Sequence, residues 1–573
     1  MLPRAFGRHE GSFWSLLSSK PSRSALTFVL AAILVAVIWR SSRPETENAL
    51  AGITPVVVGD FSSEGQQEVV HATKGRLHLL IPATSSGPDL CKLLLSAQIL
   101  GYPTPVLINF DDPEDLEDPY KQHIAKVGGF LEYLEQLQAS SEYAEDLVLI
   151  VDGYDIWFQL PPEVLIKRYY ALNGAADDRM RKTYGDATFE AQDMRQTIIF
   201  GPDKLCWPVD YSRPACWAVP EATLPDYAFG PETSRIHIDM FMPRWLNSGT
   251  VFGPVKDVRD LFNSTLEAIH TKYETDSDQF YFANIFGEQE YARLTHRPEL
   301  LLEAKSKRIG IEWNYTDIEI VRNEPQLDPA NKTEYHIGID YESTAFQTVA
   351  FYKQFLIFMR PEDSWEPERT QVTFSRPQTW RPHVMQLPDD IRHSRPPFHA
   401  LASSDDASTD AMTSWSEVEL LYNPLTGQIP VSVHFTGSGE KALRRFWWQR
   451  LWFQTRASEL RQAARKLDGE AISGVPINGL TWYNAEPQDA QDISFNGRGG
   501  AWSDDGGWFS WNKLCKPHEE HIFEIMNEEY YHAPPKEEKE EQEDEEEDDE
   551  GEKPDEKPEE TVEDAKPEPE IVT

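Results

Sequence analysis

Two aspartates that follow an apolar run are the residues of this sequence best placed to do chemistry. Asp152 and Asp155 come after Leu147–Val151, a run with no polar alternation. Such a run predicts a strand that is buried on both faces of an α/β sheet. Ligands of these sheets bind beyond the carboxyl ends of the strands. We therefore expect two carboxylates at the rim of a crevice, where they can hold a divalent cation.

A histidine far along the chain is the candidate for a third metal ligand. His434 precedes a glycine-containing loop. Hard carboxylate oxygens suit Mg²⁺ or Mn²⁺, and an added imidazole favours Mn²⁺. A cation of this kind neutralises charge on a departing diphosphate, which is what a transferase that uses sugar nucleotides requires. An aspartate pair also occurs in turns and helix caps, so the pair alone leaves a purely structural interpretation open.

The elements ahead of these aspartates alternate in type. Residues 77–84 and 105–110 predict strands, whereas 89–100 and 120–140 predict helices. This alternation is typical of the parallel part of an α/β sheet. The expected fold class is a Rossmann-type mixed sheet with helices on both faces. No glycine-rich dinucleotide fingerprint follows the first predicted strand, which argues against NAD as a ligand.

The amino-terminal region predicts a single membrane anchor. Residues 25–39 are apolar apart from Thr27 and have basic flanks. The segment is short for a bilayer span and also fits a signal peptide, but small residues suited to cleavage lie well downstream. We favour an uncleaved anchor, with residues 1–24 cytoplasmic and 40–75 as a stem. The expected protein is a single-pass type II protein of the Golgi or endoplasmic reticulum membrane.

The luminal domain is expected to span residues 76–535. Within it, residues 361–416 are rich in Pro, Arg, Ser and Asp and predict an irregular insertion. Segment 443–467 predicts a basic, tryptophan-bearing helix, which we expect to pack in the core rather than lie on a membrane surface. Residues 536–573 contain 21 acidic residues and 5 lysines and predict a disordered tail. The formal charge of -42 argues against a nucleic-acid partner.

Cysteines and glycosylation sequons are compatible with an oxidising lumen. The sequons begin at Asn263, Asn314 and Asn331. The cysteines are Cys91, Cys206, Cys216 and Cys515. An even number permits disulfides, and Cys206 with Cys216 is the pair closest in sequence. Four buried thiols are the alternative, because a chain of this length does not need disulfides to build a core.

Several short motifs occur in the same order as in a known family. They are Asp152-Gly153-Tyr154-Asp155, Trp207-Pro208, Leu246–Gly253, Asp276–Tyr281 and His434–Lys441, with Lys126-Val127 ahead of them. They resemble motifs of the glycosyltransferase domain of the collagen lysyl hydroxylases, written D-x-Y-D, W-P, L-N-S-G-x-x-x-G, D-D-D-Q and H-x-N-G-x-x-K. The procollagen galactosyltransferases are a more distant resemblance. The motifs cover roughly residues 76–441.

This resemblance implies a GT-A fold and transfer of a sugar from a nucleotide-sugar donor, a UDP-sugar, to a protein or glycan acceptor. It implies that Asp152, Asp155 and His434 hold Mn²⁺ or another divalent cation. The implied donor contacts are Tyr154 at the uridine end, Lys441 at the diphosphate, and Lys126. Trp207 is implied to wall the sugar or acceptor pocket, and Asp278 with Asp276 to act as acceptor base or as ligand for sugar hydroxyls. The remaining implied donor or substrate contacts are Asn247, Gln279, Gly437 and Gly439.

The sequence departs from the family pattern in two places. Ser277 replaces the middle aspartate of the triple, and the loop after His434 lacks the Asn-Gly pair and has one extra residue before Lys441. No counterpart of the family's iron-dependent hydroxylase domain follows in this sequence. Lysyl hydroxylation is therefore not implied, and the acceptor need not be collagen.

Two other functions use the same residues. Ser277 suggests a luminal sugar-binding or scaffold protein that lacks turnover. An iron- and 2-oxoglutarate-dependent oxygenase would use His237, Asp239 and His434 as ligands and Arg444 for the cosubstrate. That enzyme needs a jelly roll of short strands, but several helical patterns lie between these ligands.

Overall fold

The computed structural model describes the chain from residue 74 to residue 524 with internal gaps. The described ranges are 74–111, 118–139, 146–225, 228–229, 238–274, 277–310, 320–328, 330–361, 385–403, 413–437, 441–464, 469–485 and 499–524. The predicted anchor, almost all of the predicted stem, and the acidic tail lie outside these ranges. Among the described helices, none combines the length and the apolar character that crossing a bilayer requires.

The described strands and helices alternate over the first half of the domain. The strands are β1 Lys74–Pro82, β2 Val106–Ile108, β3 Leu147–Val151, β4 Ile156–Phe158, β5 Ile198–Asp203, β6 Trp245–Pro254, β7 Ile337–Ile339, β8 Phe346–Thr348, β9 Ile357–Met359, β10 Leu420–Tyr422, β11 Ser432–His434, β12 Thr481–Asn484, β13 Ala501–Ser503 and β14 Trp508–Phe509. The longer helices are α1 Pro88–Leu100, α2 Pro119–Gln138, α3 Pro162–Tyr184, α4 Asp186–Ala191, α5 Pro214–Trp217, α6 Val255–Thr271, α7 Asp278–Thr295, α8 Pro298–Ser306, α9 Asp389–Arg392, α10 Lys441–Trp448, α11 Ala457–Ala464, α12 Trp511–Leu514 and α13 Glu519–Ile522.

A nine-stranded mixed sheet forms the centre of the described domain. Its order is β14-β13-β2-β1-β3-β6-β5-β7, and β12 pairs with the first half of β1. Strands β2 and β3 run parallel to β1, whereas β6 runs antiparallel to β3 and β5. The fold is therefore α/β with a large mixed sheet, as the alternation of elements predicts.

Side chains of β3 alternate between two hydrophobic cores. Leu147, Leu149 and Val151 pack in one core with residues of α1 and α3. Val148 and Ile150 pack in the other core with residues of α2, α6 and α7. Because successive residues of a strand point to opposite faces, an unbroken apolar run suits a strand that is covered on both sides.

A smaller, three-stranded sheet continues from the end of β3. Strand β11 lies between β4 and β8, antiparallel to β4 and parallel to β8. The register sets His434 opposite Ile156. A strand from late in the sequence is thereby paired beside the turn that carries Asp152 and Asp155.

Two downstream segments differ from the sequence predictions in extent. The predicted helix over 443–467 is divided into α10 and α11, with the fully buried Trp448 packed in the core. Part of the predicted insertion, residues 385–403, packs into the core through Met385 and Ile391. Burial of apolar side chains orders this segment despite its polar composition.

The cysteines form two disulfides, Cys206–Cys216 and Cys91–Cys515. The second pair joins helix α1 to the carboxy-terminal part of the domain, a pairing that sequence spacing does not predict. Asn263 is exposed on α6 and Asn331 is exposed in a turn, whereas Asn314 lies outside the described residues.

Candidate metal and donor site

Asp152 and Asp155 lie on a tight turn between the two sheets. Strand β3 ends at Val151, and the amide of Asp152 donates to the carbonyl of Gly249 at 2.9 Å. A Cβ on Gly153 would collide with the carbonyl oxygen of Pro82 at the end of β1. Glycine is therefore required for the turn to approach β1 this closely.

Strand β11 brings His434 to the two carboxylates. Its Nε2 lies 3.3 Å from Asp155 Oδ1 and 3.8 Å from Asp152 Oδ2. One ligand atom from each of the three side chains lies within 4.8 Å of the others. The amide of Phe435 donates to the carbonyl of Asp155 at 2.8 Å, which fixes the strand against the turn. The three predicted metal ligands are thus brought together.

Burial and charge act in opposite directions on this group. Burial alone would raise the pKa of Asp155, but His434, Arg444 and Lys126 together lower it. Burial alone would lower the pKa of His434, but Asp155, Asp152 and Asp203 together raise it. The imidazole is 4% exposed, against 33% for Asp152 and 24% for Asp155, so solvent reaches the carboxylate side. Two carboxylates facing one imidazole leave negative charge for a cation to neutralise.

Two further observations fit a bound divalent cation. Asp155 Oδ1 is buried, and its ion pair with His434 Nε2 at 3.3 Å is not accompanied by any further hydrogen bond. A Cβ on Gly249 would collide with His434 Cε1 and lie 2.8 Å from Asp152 Oδ2. The absence of a side chain at residue 249 leaves this space between the ligand atoms open. The residues present therefore form a group able to hold a metal ion.

Lys126 on α2 joins this group to Asp278. Its Nζ lies 3.2 Å from Asp152 Oδ1 and 2.8 Å from Asp278 Oδ2. Burial would lower the pKa of Lys126, but the two carboxylates outweigh burial and raise it. The other oxygen of Asp278 accepts from Ser248 Oγ at 3.2 Å and from the amide of Gln279 at 2.9 Å. Asp278 is therefore fully bonded within the protein.

A cavity of about 450 Å³ opens beside the turn. Its walls are the ends of β1 and β2, the second turn of α2, and the turn itself. This volume lies within the range of small-molecule sites. Lys126, Asp152 and Asp155 line the cavity, so a ligand in it would lie against the candidate metal group.

Tyr154 links the turn to the wall of this cavity. Its hydroxyl accepts from the amides of Thr84 and Ser85, each at 3.1 Å, and donates to the carbonyl of Ser85 at 3.1 Å. The residue is 36% exposed. Because the hydroxyl is fully bonded, the ring is the part of Tyr154 that remains available to a ligand.

Asn247 and Gln279 lie beneath the site rather than in the cavity wall. Both side chains are buried. Asn247 Oδ1 accepts from the amide of Gly249 at 3.2 Å, and Gln279 Oε1 accepts from the amide of Ser248 at 3.3 Å. These bonds shape the loop that carries Gly249. Any direct contact with a donor stays a prediction.

Trp207 is exposed, with 52% of its surface accessible. It follows β5 and is adjacent to the Cys206–Cys216 disulfide. Gly437 lies beyond β11 with a φ of 87°, a conformation that favours glycine. Helix α10 begins at Lys441. Asp276, Gly439 and the side chain of Lys441 lie outside the described part of the chain, so their predicted roles stay predictions.

Two charged residues near the site have no counterpart in the sequence predictions for a transferase. Arg444 Nη1 donates to the carbonyl of Tyr154 at 2.7 Å and to Asp89 Oδ2 at 3.0 Å. Asp203, at the end of β5, is half-buried and hydrogen-bonded to Asn247, and desolvation raises its pKa to about 6. The sequence offers only weak local signals for these two residues. Asp203 lies in a turn-rich stretch, and Arg444 lies in a basic segment.

The described residues named for the oxygenase alternative do not form the iron and 2-oxoglutarate site which that enzyme requires. Arg444 is engaged by Asp89 and Tyr154, and His434 lies with Asp152 and Asp155. Between Asp239 and His434, the described residues contribute helices and short strands that belong to three separate sheets, not a continuous jelly roll. His237 lies outside the described ranges.

Comparison with known proteins adds no relative. No protein-family model matches the chain, and no curated protein matches it.

Proposed function

We propose that this protein is a metal-dependent glycosyltransferase with a GT-A-like fold that transfers a sugar from a UDP-sugar. The proposal rests on one observation, the convergence of Asp152, Asp155 and His434 beside a cavity. The same residues match the metal-binding motifs of the glycosyltransferase domain that the sequence resembles. A mixed α/β sheet with a ligand cavity at strand ends also supports the proposal.

The donor set supports Mn²⁺ as the resident cation, since it combines two carboxylates with an imidazole. When bound, the cation neutralises charge that develops on the leaving nucleoside diphosphate. Asp152, Asp155 and His434 would hold it. The chain supplies a second positive charge at Lys126, which lines the cavity and lies 3.2 Å from Asp152.

The cavity beside the metal group is the donor pocket in this proposal. The exposed ring of Tyr154 stacks against the nucleobase, while its hydroxyl holds the loop at Thr84 and Ser85 in place. Asp278 faces the metal group across Lys126 and orients the transferred sugar or the acceptor hydroxyl. The exposed indole of Trp207 offers a stacking surface for a sugar ring on the acceptor side.

We further propose that transfer takes place in the secretory pathway, on a protein or glycan acceptor. Two disulfides support an oxidising compartment. The apolar segment 25–39 would anchor the protein in the Golgi or endoplasmic reticulum membrane, with the domain luminal.

The test is an assay of donor turnover. The purified protein is incubated with Mn²⁺ and a panel of sugar nucleotides (UDP-glucose, UDP-galactose, UDP-N-acetylglucosamine, GDP-mannose), and release of nucleoside diphosphate is followed. We expect metal-dependent release with a UDP-sugar and its loss in Asp152→Ala and Asp155→Ala. The proposal fails if no donor is turned over and none binds in a metal-dependent way.

A sugar-binding protein without turnover is the second candidate. The observation in its favour is that Asp278 is fully bonded by Lys126, Ser248 and Gln279, while Ser277 stands where the family motif has an aspartate. Metal-dependent donor binding without release of nucleoside diphosphate, across acceptors as well as water, would identify this alternative.

A further inference from the structure

The carboxy-terminal segment 499–524 contacts both loops that border the cavity beside Tyr154. This segment lies beyond residue 441, where the family resemblance ends. It adds β13 and β14 to the edge of the large sheet and ends in α12 and α13. Its contacts fall on the loop after β1 and on the loop after β2, which form two walls of the cavity.

The first contact holds the loop after β1, residues 83–87. Ser86 Oγ donates to the carbonyl of Leu514, and Cys515 forms the disulfide with Cys91 in the first turn of α1. Both cysteines are fully buried. The same loop supplies the two amides that hold the hydroxyl of Tyr154. If Leu514 and Cys515 moved, this loop would move with them and would change the position of the Tyr154 side chain.

The second contact holds the loop after β2. Asp504 Oδ2 accepts from the amide of Asn109 at 2.8 Å, and the amide of Asp504 donates to the carbonyl of Leu107 at 3.1 Å. Asn109 lines the cavity and has a φ of 58°. Asparagine adopts this left-handed conformation more readily than most other residues, and bonds from other segments help to select it. Asp504 supplies one of them.

We propose that segment 499–524 is an intrachain clamp that positions both walls of the nucleotide pocket. Ser86, Asp504 and the Cys91–Cys515 disulfide are its positioning residues. The inference that the pocket takes a nucleoside diphosphate rests on the proposed function. The clamp itself rests on contacts alone. The metal ligands have backbone bonds of their own: the amide of Asp152 donates to the carbonyl of Gly249, the amide of Phe435 donates to the carbonyl of Asp155, and β11 pairs with β4. The clamp should therefore govern nucleotide affinity and leave metal affinity unchanged.

The first readout is hydrogen exchange of backbone amides, which needs no ligand. The double variant Cys91→Ser with Cys515→Ser should speed amide exchange at Thr84 and Ser85 about tenfold, and Asp504→Ala should speed it about tenfold at Asn109. The matched control removes the other disulfide, with Cys206→Ser and Cys216→Ser, and should leave these amides unchanged. Should the double variant fail to fold, Ser86→Ala replaces it.

The second readout is binding of UDP and of Mn²⁺ to the same full-length variants. We expect UDP affinity in the presence of Mn²⁺ to fall roughly tenfold in the clamp variants, with Mn²⁺ affinity unchanged. Unchanged exchange at residues 84, 85 and 109 in folded variants would overturn the clamp. If wild-type protein binds no UDP, the proposed function fails, while hydrogen exchange still decides whether the clamp exists.

Discussion

Two groups of acidic side chains, here called the first and the second corner, both contact Lys126 and differ in how their negative charge is balanced. In the first corner, Asp152 and Asp155 face His434, and the buried Asp155 Oδ1 has no hydrogen bond beyond its ion pair with His434 Nε2. In the second corner, Asp278 is bonded on both oxygens, to Lys126, Ser248 and the amide of Gln279. The first corner retains capacity to coordinate a cation, whereas the protein itself saturates the second.

This difference separates the roles of carboxylates that look alike in sequence. A carboxylate with a buried, unbonded oxygen is costly unless a ligand satisfies it. A carboxylate held by an ammonium, a hydroxyl and an amide is stable as it stands. The first corner is therefore a group able to hold a metal ion, whereas Asp278 in the second corner is held in place by the protein itself.

Removal of a ligand from the first corner should have the largest effect. Asp155→Ala should weaken Mn²⁺ binding by about 100-fold or more, because even residues that only orient metal ligands contribute about 10- to 100-fold. Ser248→Ala, in the second corner, should change the Mn²⁺ affinity by less than about threefold. Isothermal titration calorimetry measures both, with the exposed Asp186→Ala as control. Equal losses at the two corners would show that the distinction between them is wrong.

The open space at Gly249 offers the next largest effect. Gly249→Ala places a methyl group against His434 Cε1 and Asp152 Oδ2, so we expect Mn²⁺ affinity to fall roughly 10- to 100-fold. Gly174→Ala is the matched control, because a Cβ there has no neighbour within 4 Å. Retention of full metal affinity by Gly249→Ala would mean that the cation does not occupy the space between these side chains.

Protons should compete with the metal in the first corner. The raised pKa of His434, above its ordinary value of 6.5, means that the imidazole must release its proton before it can ligate. Mn²⁺ affinity should therefore rise with pH up to that pKa and level off above it, with a slope of at most about tenfold per pH unit. Titrations between pH 6 and pH 8.5 measure this. His434→Gln should flatten the profile, and an equally steep profile in that variant would exclude His434 as the ligand.

The smallest expected effect concerns the residue shared by both corners. Lys126→Met removes a positive charge 3.2 Å from Asp152, so Mn²⁺ affinity should increase a few-fold through lost repulsion. Lys121→Met, on the exposed side of the same helix, should leave it unchanged. Weaker metal binding in Lys126→Met would show that the lysine organises the first corner instead of opposing the cation.

Local sequence patterns account for the scaffold of the first corner. The apolar run Leu147–Val151 predicts a strand covered on both faces, and Asp152 and Asp155 follow at its carboxyl end. The approach of His434 depends on a tertiary register between β11 and β4, which no local periodicity encodes. The order of the family motifs indicates His434 as the third metal ligand. Its distance in sequence from Asp152 and Asp155 does not predict that contact.

Other features of the site depend on contacts between distant segments. The short strands β12 and β13 are ordered by pairing with β1 and β2 from the beginning of the domain, and β14 pairs with β13. The division of segment 443–467 into two helices follows from burial of Trp448 and Phe453 against the core. The bonds of Arg444 and Asp203 likewise join residues that no motif connects.

The most direct test of the metal-dependent donor site is the affinity for UDP with and without the cation. Wild-type protein should bind UDP at least about tenfold more tightly in Mn²⁺ than in EDTA, since the cation neutralises diphosphate charge. In Asp152→Asn this gain should disappear. Equal UDP affinity in Mn²⁺ and EDTA for the wild-type protein would contradict the assignment of Asp152, Asp155 and His434 as a metal centre that serves a nucleotide-sugar donor.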